Sequence, residues 1–296
     1  MKIDSATLRN HLQNAPAVYD IKIGEDGVLY SIDSLNNLLY RGSYLETIGW
    51  LHRKRYDNIA FWLRASDSDS LTLEDDDGTD VVASWACRNN SDIAFDATST
   101  QRPTYTSEGI NSKPSVTFDG TNTYLQEAGA VLTGQSGAVI AVVDRVSGTG
   151  NSGIYAQADV AANNNYLECY SVDASTKIVV RAKNGSADTN DLCEGPSTGI
   201  GSDARVLAFY SDGAAWGLRQ NGVAQTLTAT AGANNGDWGG DVDDVDWSFI
   251  GALKRNTIGP SCFYGDIAEM IALSQFRSIA EVATVEAYLM AEYGIS

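Results

Sequence analysis

The chain is predicted to be mainly β: an antiparallel β-sandwich closed by one C-terminal helix and preceded by a small α+β module over residues 1–56. Three observations predict it. From Ile59 onward, short runs of β-branched and aromatic residues succeed one another, each bounded by Gly, Asn, Asp or Ser. Hydrophobic spacing returns to the helical repeat only near the end of the chain. With 296 residues, 43% of them apolar and six of them Trp, the chain is long enough for one large core.

The first module carries a short helical pattern around Leu8 and Leu12. Two apolar runs follow, VYDIKI and VLYSI, separated by Gly-Glu-Asp-Gly, and these read as a hairpin. A second helical pattern starts at Ser43, whose hydroxyl can cap the N–H of Glu46, and puts Tyr44, Ile48 and Leu51 on one face. His52, Arg53, Lys54 and Arg55 close it, either as a solvated turn that complements the helix dipole or as a binding patch.

The sandwich strands are read from FWL, VVASW, SVTF, AVIAVV, YLECYSV, KIVVRA, RVLAFY, WGLRQ, VAQTLT and SFIGAL. The strongest local signal is Asn221-Gly222 between WGLRQ and VAQTLT, because a two-residue hairpin turn needs positive φ at both positions. After FYGDIAEMIAL, Ser278 stands three residues before Glu281 as a capping box. Ile279, Val282, Val285 and Leu289 then recur at helical spacing, with Gly294 placed for a left-handed cap.

Charge divides the chain unevenly. Residues 1–56 hold seven Lys/Arg against six Asp/Glu, near neutrality, whereas the remainder holds thirteen against thirty-two. A domain this acidic repels phosphate backbones and anionic headgroups, so neither nucleic acid nor a bare membrane is an expected partner. Cys87, Cys169, Cys193 and Cys262 lack the short spacings of zinc or dithiol chemistry and are read as free buried thiols, with a lone disulfide the alternative. The start MKIDSATLRNHLQ resembles no signal peptide and no run reaches membrane-spanning length, so synthesis and assembly in a reducing cytoplasm are expected.

Six segments resemble the concanavalin A-like (laminin-G-like) lectin/glucanase family found in bacterial surface proteins and phage virion proteins. They are FWLRASDSDSLTL, VVASWACRNNSD with Trp85, RPTY, INSKPSVTFDGTNTYL, GLRQNGV and the closing GDIAEMIALSQFRSIAEVATVEAYLMAEYG. Ser112 stands where that pattern usually has glycine. The resemblance covers roughly four-fifths of the chain and implies a jelly-roll sandwich over residues 57–296. It does not fix a function, since lectins, glycan-binding modules, glycosidases and architectural domains share the scaffold.

Specific chemistry is tested residue by residue. His11 and His52 both precede the sandwich, so a Ser-His-Asp or Cys-His centre within it is excluded. Glycosidases of this scaffold need carboxylates on alternate positions of one strand; in DVDDVDW, Asp241 and Asp243 alternate but Asp244 and Asp246 fall on the other face. Asp266 and Glu269 are three apart and are expected on opposite faces. No catalytic residue is therefore assigned. Asp237, Asp241, Asp243, Asp244 and Asp246 form a candidate calcium site, although the EF-hand order is missing and a solvated acidic turn is the competing reading. The run Glu74 to Asp77 before Gly78 reads as an exposed turn. Trp238, between glycines, is the candidate sugar-stacking residue, with Asp237 and Asp241 beside it to bond hydroxyls; packing under the loop fits Trp238 equally well. Trp62, Trp85, Trp216 and Trp247 lie in strand patterns and are expected in the core.

The expected function is a non-catalytic phage virion structural protein, either a capsid fibre or decoration protein or tail-associated. Residues 1–56 would engage other virion proteins, and the sandwich would be displayed as a homo-oligomer that touches host-surface glycans. The alternatives are a secreted bacterial carbohydrate-active enzyme or glycan-binding module of the same fold, and a decoration protein with no ligand.

Overall fold

The computed structural model describes the backbone of three strands in the first 57 residues, and residues 58–146, 150–172, 177–185, 190–197, 203–257, 259 and 261–296. The chain divides into two compact units, Met1–Asp57 and Asn58–Ser296. In the first, β1 (Asp20–Ile23) and β2 (Leu29–Ile32) pair antiparallel, Asp20 opposite Ile32, as the two apolar runs predict. A third strand, β3 (Leu38–Gly42), extends this hairpin beyond the sequence reading. The helical patterns around Leu8 and from Ser43, the basic cluster and both histidines lie outside the described residues.

In the second unit, strand pairing builds two antiparallel layers. One runs in the order β18 (Val223–Gln225), β17 (Trp216–Gln220), β16 (Arg205–Ser211), β11 (Gly137–Arg145) and β21 (Tyr264–Leu273). Along its far side β21 receives β4 (Ile59–Arg64) at one end and β9 (Ser115–Asp119) at the other, and β9 pairs with β8 (Thr104–Thr106). The other layer runs β19 (Thr228–Ala231), β15 (Asp191–Glu194), β14 (Lys177–Lys183), β13 (Tyr166–Val172), β12 (Asn151–Ala158), β20 (Trp247–Ile250), β10 (Leu125–Ala128) and β7 (Ala94–Asp96). Strand β6 (Thr79–Ala86) pairs with β7 through Trp85 and with β8 through Val81, so it turns the corner between the layers. Its hairpin partner is β5 (Leu71–Asp76), and the turn between them is Asp77-Gly78, both at positive φ.

Period two decides which side chains fill the gap between layers. Phe61 and Leu63, Val139, Ala141 and Val143, and Ile267, Met270 and Ala272 point in from the first layer. Tyr155, Leu167, Cys169, Val180 and Ile250 point in from the second, and together they form one buried cluster with Trp85 and Phe95. Each large side chain so buried contributes about 1.5–3 kcal/mol. All four cysteines are buried and free. Trp62, Trp85 and Trp216 are buried as expected, while Trp247 is half-buried and faces away from this cluster.

The single α-helix of the described residues, α1 (Ile279–Tyr293), begins at Ser278, whose hydroxyl accepts the Glu281 N–H, and ends at Gly294 with φ 62°. Val282, Val285 and Leu289 are buried, as the spacing predicts; Ile279, expected on the same face, is exposed in the first turn. The helix packs over the first layer, beside β11 and β16. Among the described residues no helix is long and apolar enough to cross a membrane.

Candidate functional site

The structure places the tryptophan singled out in the sequence in the core. Trp238 is fully buried in the cluster between the layers, so both faces of its ring are covered by protein, which matches the packed alternative and not the loop-borne stacking surface. Its glycines serve close approach. A Cβ on Gly239 would lie 2.1 Å from the Leu132 carbonyl oxygen, and one on Gly240 would lie 2.4 Å from that of Thr133.

The acidic residues around it do not converge. Asp241 accepts the Trp238 N–H and the Gln135 side-chain amide, each at 2.8 Å. Asp243 accepts Asn184 Nδ2 at 3.2 Å, Asp246 accepts the Val160 N–H at 2.8 Å, and Asp244 occupies an exposed left-handed position, φ 58°. Asp237 is half-buried and turns toward Asp191. Burial pushes its carboxyl up, Asn235 opposes this, and the charges of Asp191 and Asp241 add to it. Each of these bonds closes a local turn or ties two loops, and among the described residues no group of three or more His, Cys, Asp or Glu is arranged to hold a metal ion. The Glu74 end of the other acidic run is exposed and forms a two-pronged pair with Arg102, at 2.6 and 2.9 Å.

Asp266 and Glu269 share a side of β21, contrary to the alternation expected of an even strand. A bulge between Val142 and Val143 of β11 leaves Ala268 without a register partner, and the skipped residue restores both acids to the face turned away from the core. They remain apart in partners. Asp266 accepts Ser115 Oγ and Thr117 Oγ1, whereas Glu269 lies under α1.

A different constellation stands on the outer face of the second layer. Tyr166, Glu168 and Tyr170 alternate on β13 and therefore share the side opposite Leu167 and Cys169. Register sets Arg181 of β14 directly across from Glu168, and Lys183 across from Tyr166. On the other flank β12 contributes only Ala156 and Ala158, with Phe249 and Trp247 of β20 beyond them. The segment after β20 then crosses this face. Ala252 and Leu253 pack on the alanines, and Arg255 is held over the Tyr166 ring at 4.8 Å. Bonds between Asn256 and the backbone of Ala161 and Ala162, and between Asn163 and Thr257, tie the segment to the loop before β13.

Glu168 is the centre of this group. It is completely buried, and Arg181 approaches its Oε2 through Nε and Nη2, both at 2.6 Å. The Arg181 guanidinium also lies 4.8 Å from the Tyr170 ring and 5.2 Å from the Tyr166 ring, so it is held between two π-faces. Burial pushes the Glu168 carboxyl up against the pull of Arg181 and, more weakly, Arg255. Arg255 is pulled below its ordinary value first by burial and then by repulsion from Arg181. Three polar atoms here, Glu168 Oε1, Arg181 Nη2 and Arg255 Nε, are buried with no hydrogen-bond partner, although Arg181 Nη2 is in an ion pair with Glu168 Oε2. Orphans of this kind are uncommon in folded proteins and are satisfied by a water or a ligand. Sequence reasoning took YLECYSV only as a strand. The signal for more was a carboxylate at the middle of an otherwise buried strand with tyrosines two residues to either side, followed by the alternating cations of KIVVRAK.

No protein-family model matches the chain, and no curated protein matches it. Solved structures with similar folds include domain 4 of AbnA, an extracellular arabinanase from Geobacillus stearothermophilus in complex with arabinotriose: 13% identity over 77% of this chain and 98% of that one, TM-score 0.49. The CBM40 of a Ruminococcus gnavus intramolecular trans-sialidase, bound to α2,3-sialyllactose, is 15% identical over 51% of this chain and 82% of its own, TM-score 0.45. The leech intramolecular trans-sialidase is 17% identical over 60% of this chain and 27% of its own, TM-score 0.49. At such identities the chemistry of this chain rests on its own side chains.

Proposed function

We propose that this protein is a glycan-binding β-sandwich without a catalytic centre of its own, displayed on a phage particle through residues 1–56. The observation that carries the binding role is the outer face of β13 and β14. Half-buried Trp247 supplies apolar ring surface for sugar C–H groups, and the buried Glu168 keeps one acceptor oxygen unpartnered for a hydroxyl. Hydrolysis would require a second carboxylate near Glu168, as acid and base or nucleophile flank a scissile bond. Register instead sets Arg181 of β14 on one side of Glu168 and Ala156 of β12 on the other.

Display on a particle is supported by the near-neutral first segment joined to a strongly acidic sandwich, and by the resemblance of six segments to domains of phage virion proteins. Repetition in a symmetric oligomer would let weak contacts with host glycans add through avidity.

Two experiments test the two halves. The full chain passed over immobilised glycans is expected to be retained, and the double variant Glu168→Ala/Arg181→Ala is expected to lose retention. Removing both removes the buried ion pair whole and leaves only the half-exposed Arg255 to solvent, so its melting curve should stay cooperative. Equal retention of a folded double variant would refute the site. For display, a chain beginning at Asn58 is expected to fold yet fail to join particles; its recruitment would remove the anchoring role from residues 1–56.

A further inference from the structure

The charge of this face singles out one class of sugar, and the inference rests on the glycan-binding reading above. The sandwich holds thirteen Lys and Arg against thirty-two Asp and Glu. Its cations are nevertheless concentrated here. Lys177, Arg181 and Lys183 alternate on β14 and so lie on one side of it, and Lys254 and Arg255 belong to the segment that crosses the same face. Lys177 pairs with Glu194 of the adjacent strand, and Arg181 with Glu168. Arg181 thus holds the single buried carboxylate, while Arg255 lies over the neighbouring Tyr166 ring with no acceptor for its Nε.

We infer that the glycan is an acidic one, whose sugar carboxylate takes the Arg255 guanidinium while a neighbouring hydroxyl donates to Glu168 Oε1. A guanidinium presents a planar fork of donors matched to the two oxygens of a carboxylate, and a charge-assisted bond of this kind is about twice as strong as a neutral one. Arg255 is suited to it because burial, and then repulsion from Arg181, disfavour its charge, and an arriving anion offsets both. Phosphate backbones do not fit equally well. A nucleic acid would bring a continuous line of charge against the acidic surface around the patch, whereas a carboxylate on one sugar ring is met locally, within the roughly 10 Å over which salt leaves charges unscreened.

The test uses the full chain and four immobilised probes: oligoglucuronate, oligosialate, and the carboxyl-reduced form of each. Retention of at least one acidic probe at least about tenfold tighter than its reduced form is expected, and the pair that shows it distinguishes a hexuronate from a nonulosonate source. Arg255→Gln, in a half-exposed segment, should erase that difference while its melting curve stays cooperative, and Arg255→Lys should restore only part of it. Binding of acidic and reduced forms with equal strength, or an Arg255→Gln variant that keeps the preference, would overturn the inference and leave the glycan-binding reading standing. Failure to retain these probes together with a panel of neutral glycans would sink both.

Discussion

Trp62 donates its indole N–H to Glu269 across 2.6 Å, so the first strand of the sandwich and its last are joined by a bond that lies beneath the C-terminal helix. The same carboxylate, completely buried, accepts the hydroxyls of Tyr288 at 3.0 Å and Tyr293 at 3.1 Å, and Arg64 stands 3.5 Å away. One acid thereby satisfies donors from β4 and from two turns of α1. Burial pushes its carboxyl up, and Arg64 with these three donors opposes the shift.

Replacing that acid should be costly. Glu269→Ala leaves an arginine and three donors facing a void, and a loss of about 3–5 kcal/mol in urea unfolding is expected, by the usual consequence of breaking a buried charged network from one side. A loss below about 1 kcal/mol would show that the network does not hold helix to sheet.

Asp119 offers a pH signature of the opposite kind. Burial tends to raise its carboxyl, but the N–H groups of Thr121, Asn122 and Thr123 and the Thr123 hydroxyl more than compensate, and they hold it below the ordinary value. A depressed folded value means that the unfolded chain takes up the proton first as pH falls. The stabilisation is therefore complete above the ordinary carboxylate range and disappears as pH drops through the folded value. Asp119→Asn keeps one acceptor and, with the charge screened at an exposed turn, should cost about 0.5–1 kcal/mol at neutral pH, and the gap between variant and parent should close in acid. A gap that persists in acid would contradict the assignment.

Trp238 is expected to govern stability and not recognition. Trp238→Ala should cost about 3–5 kcal/mol through the cavity it leaves, and Trp238→Phe less. The phenylalanine variant, if folded, should be retained on glycan like the parent; selective loss of retention would return Trp238 to the site.

Chelation should leave the melting temperature of the chain unchanged, because the carboxylates of Asp241, Asp243 and Asp246 are each engaged by an amide or backbone N–H from a different loop. A fall in melting temperature with chelator that calcium reverses would reinstate a cation among residues 237–246.

Much of the fold was legible because local rules and tertiary structure agree. Asn221 and Gly222 have φ of 46° and 74°, the positive values their hairpin requires. Ser278 and Gly294 cap the helix at the positions their chemistry favours. The site was harder to read. Glycines around Trp238 fit a mobile loop or a tight crossing equally well, and only the Leu132 and Thr133 carbonyls decide between them. A bulge at Ala268 shifts the parity of β21, which no count of residues along one strand can foresee. Tyr166, Glu168 and Tyr170 were visible as an alternation, but their meaning depends on Arg181 and Arg255, brought in by register and by a crossing segment.

The position of β21 has a consequence for biosynthesis. Although it is the last strand of the sandwich along the sequence, it sits inside its layer, paired with β11 on one side and with β4 and β9 on the other. Until it emerges, β4 and β9 have no common neighbour, and the apolar faces of three strands wait unpaired. Nascent chains should consequently stay susceptible to protease until β21 has emerged and become resistant only after residue 273 has cleared the exit tunnel.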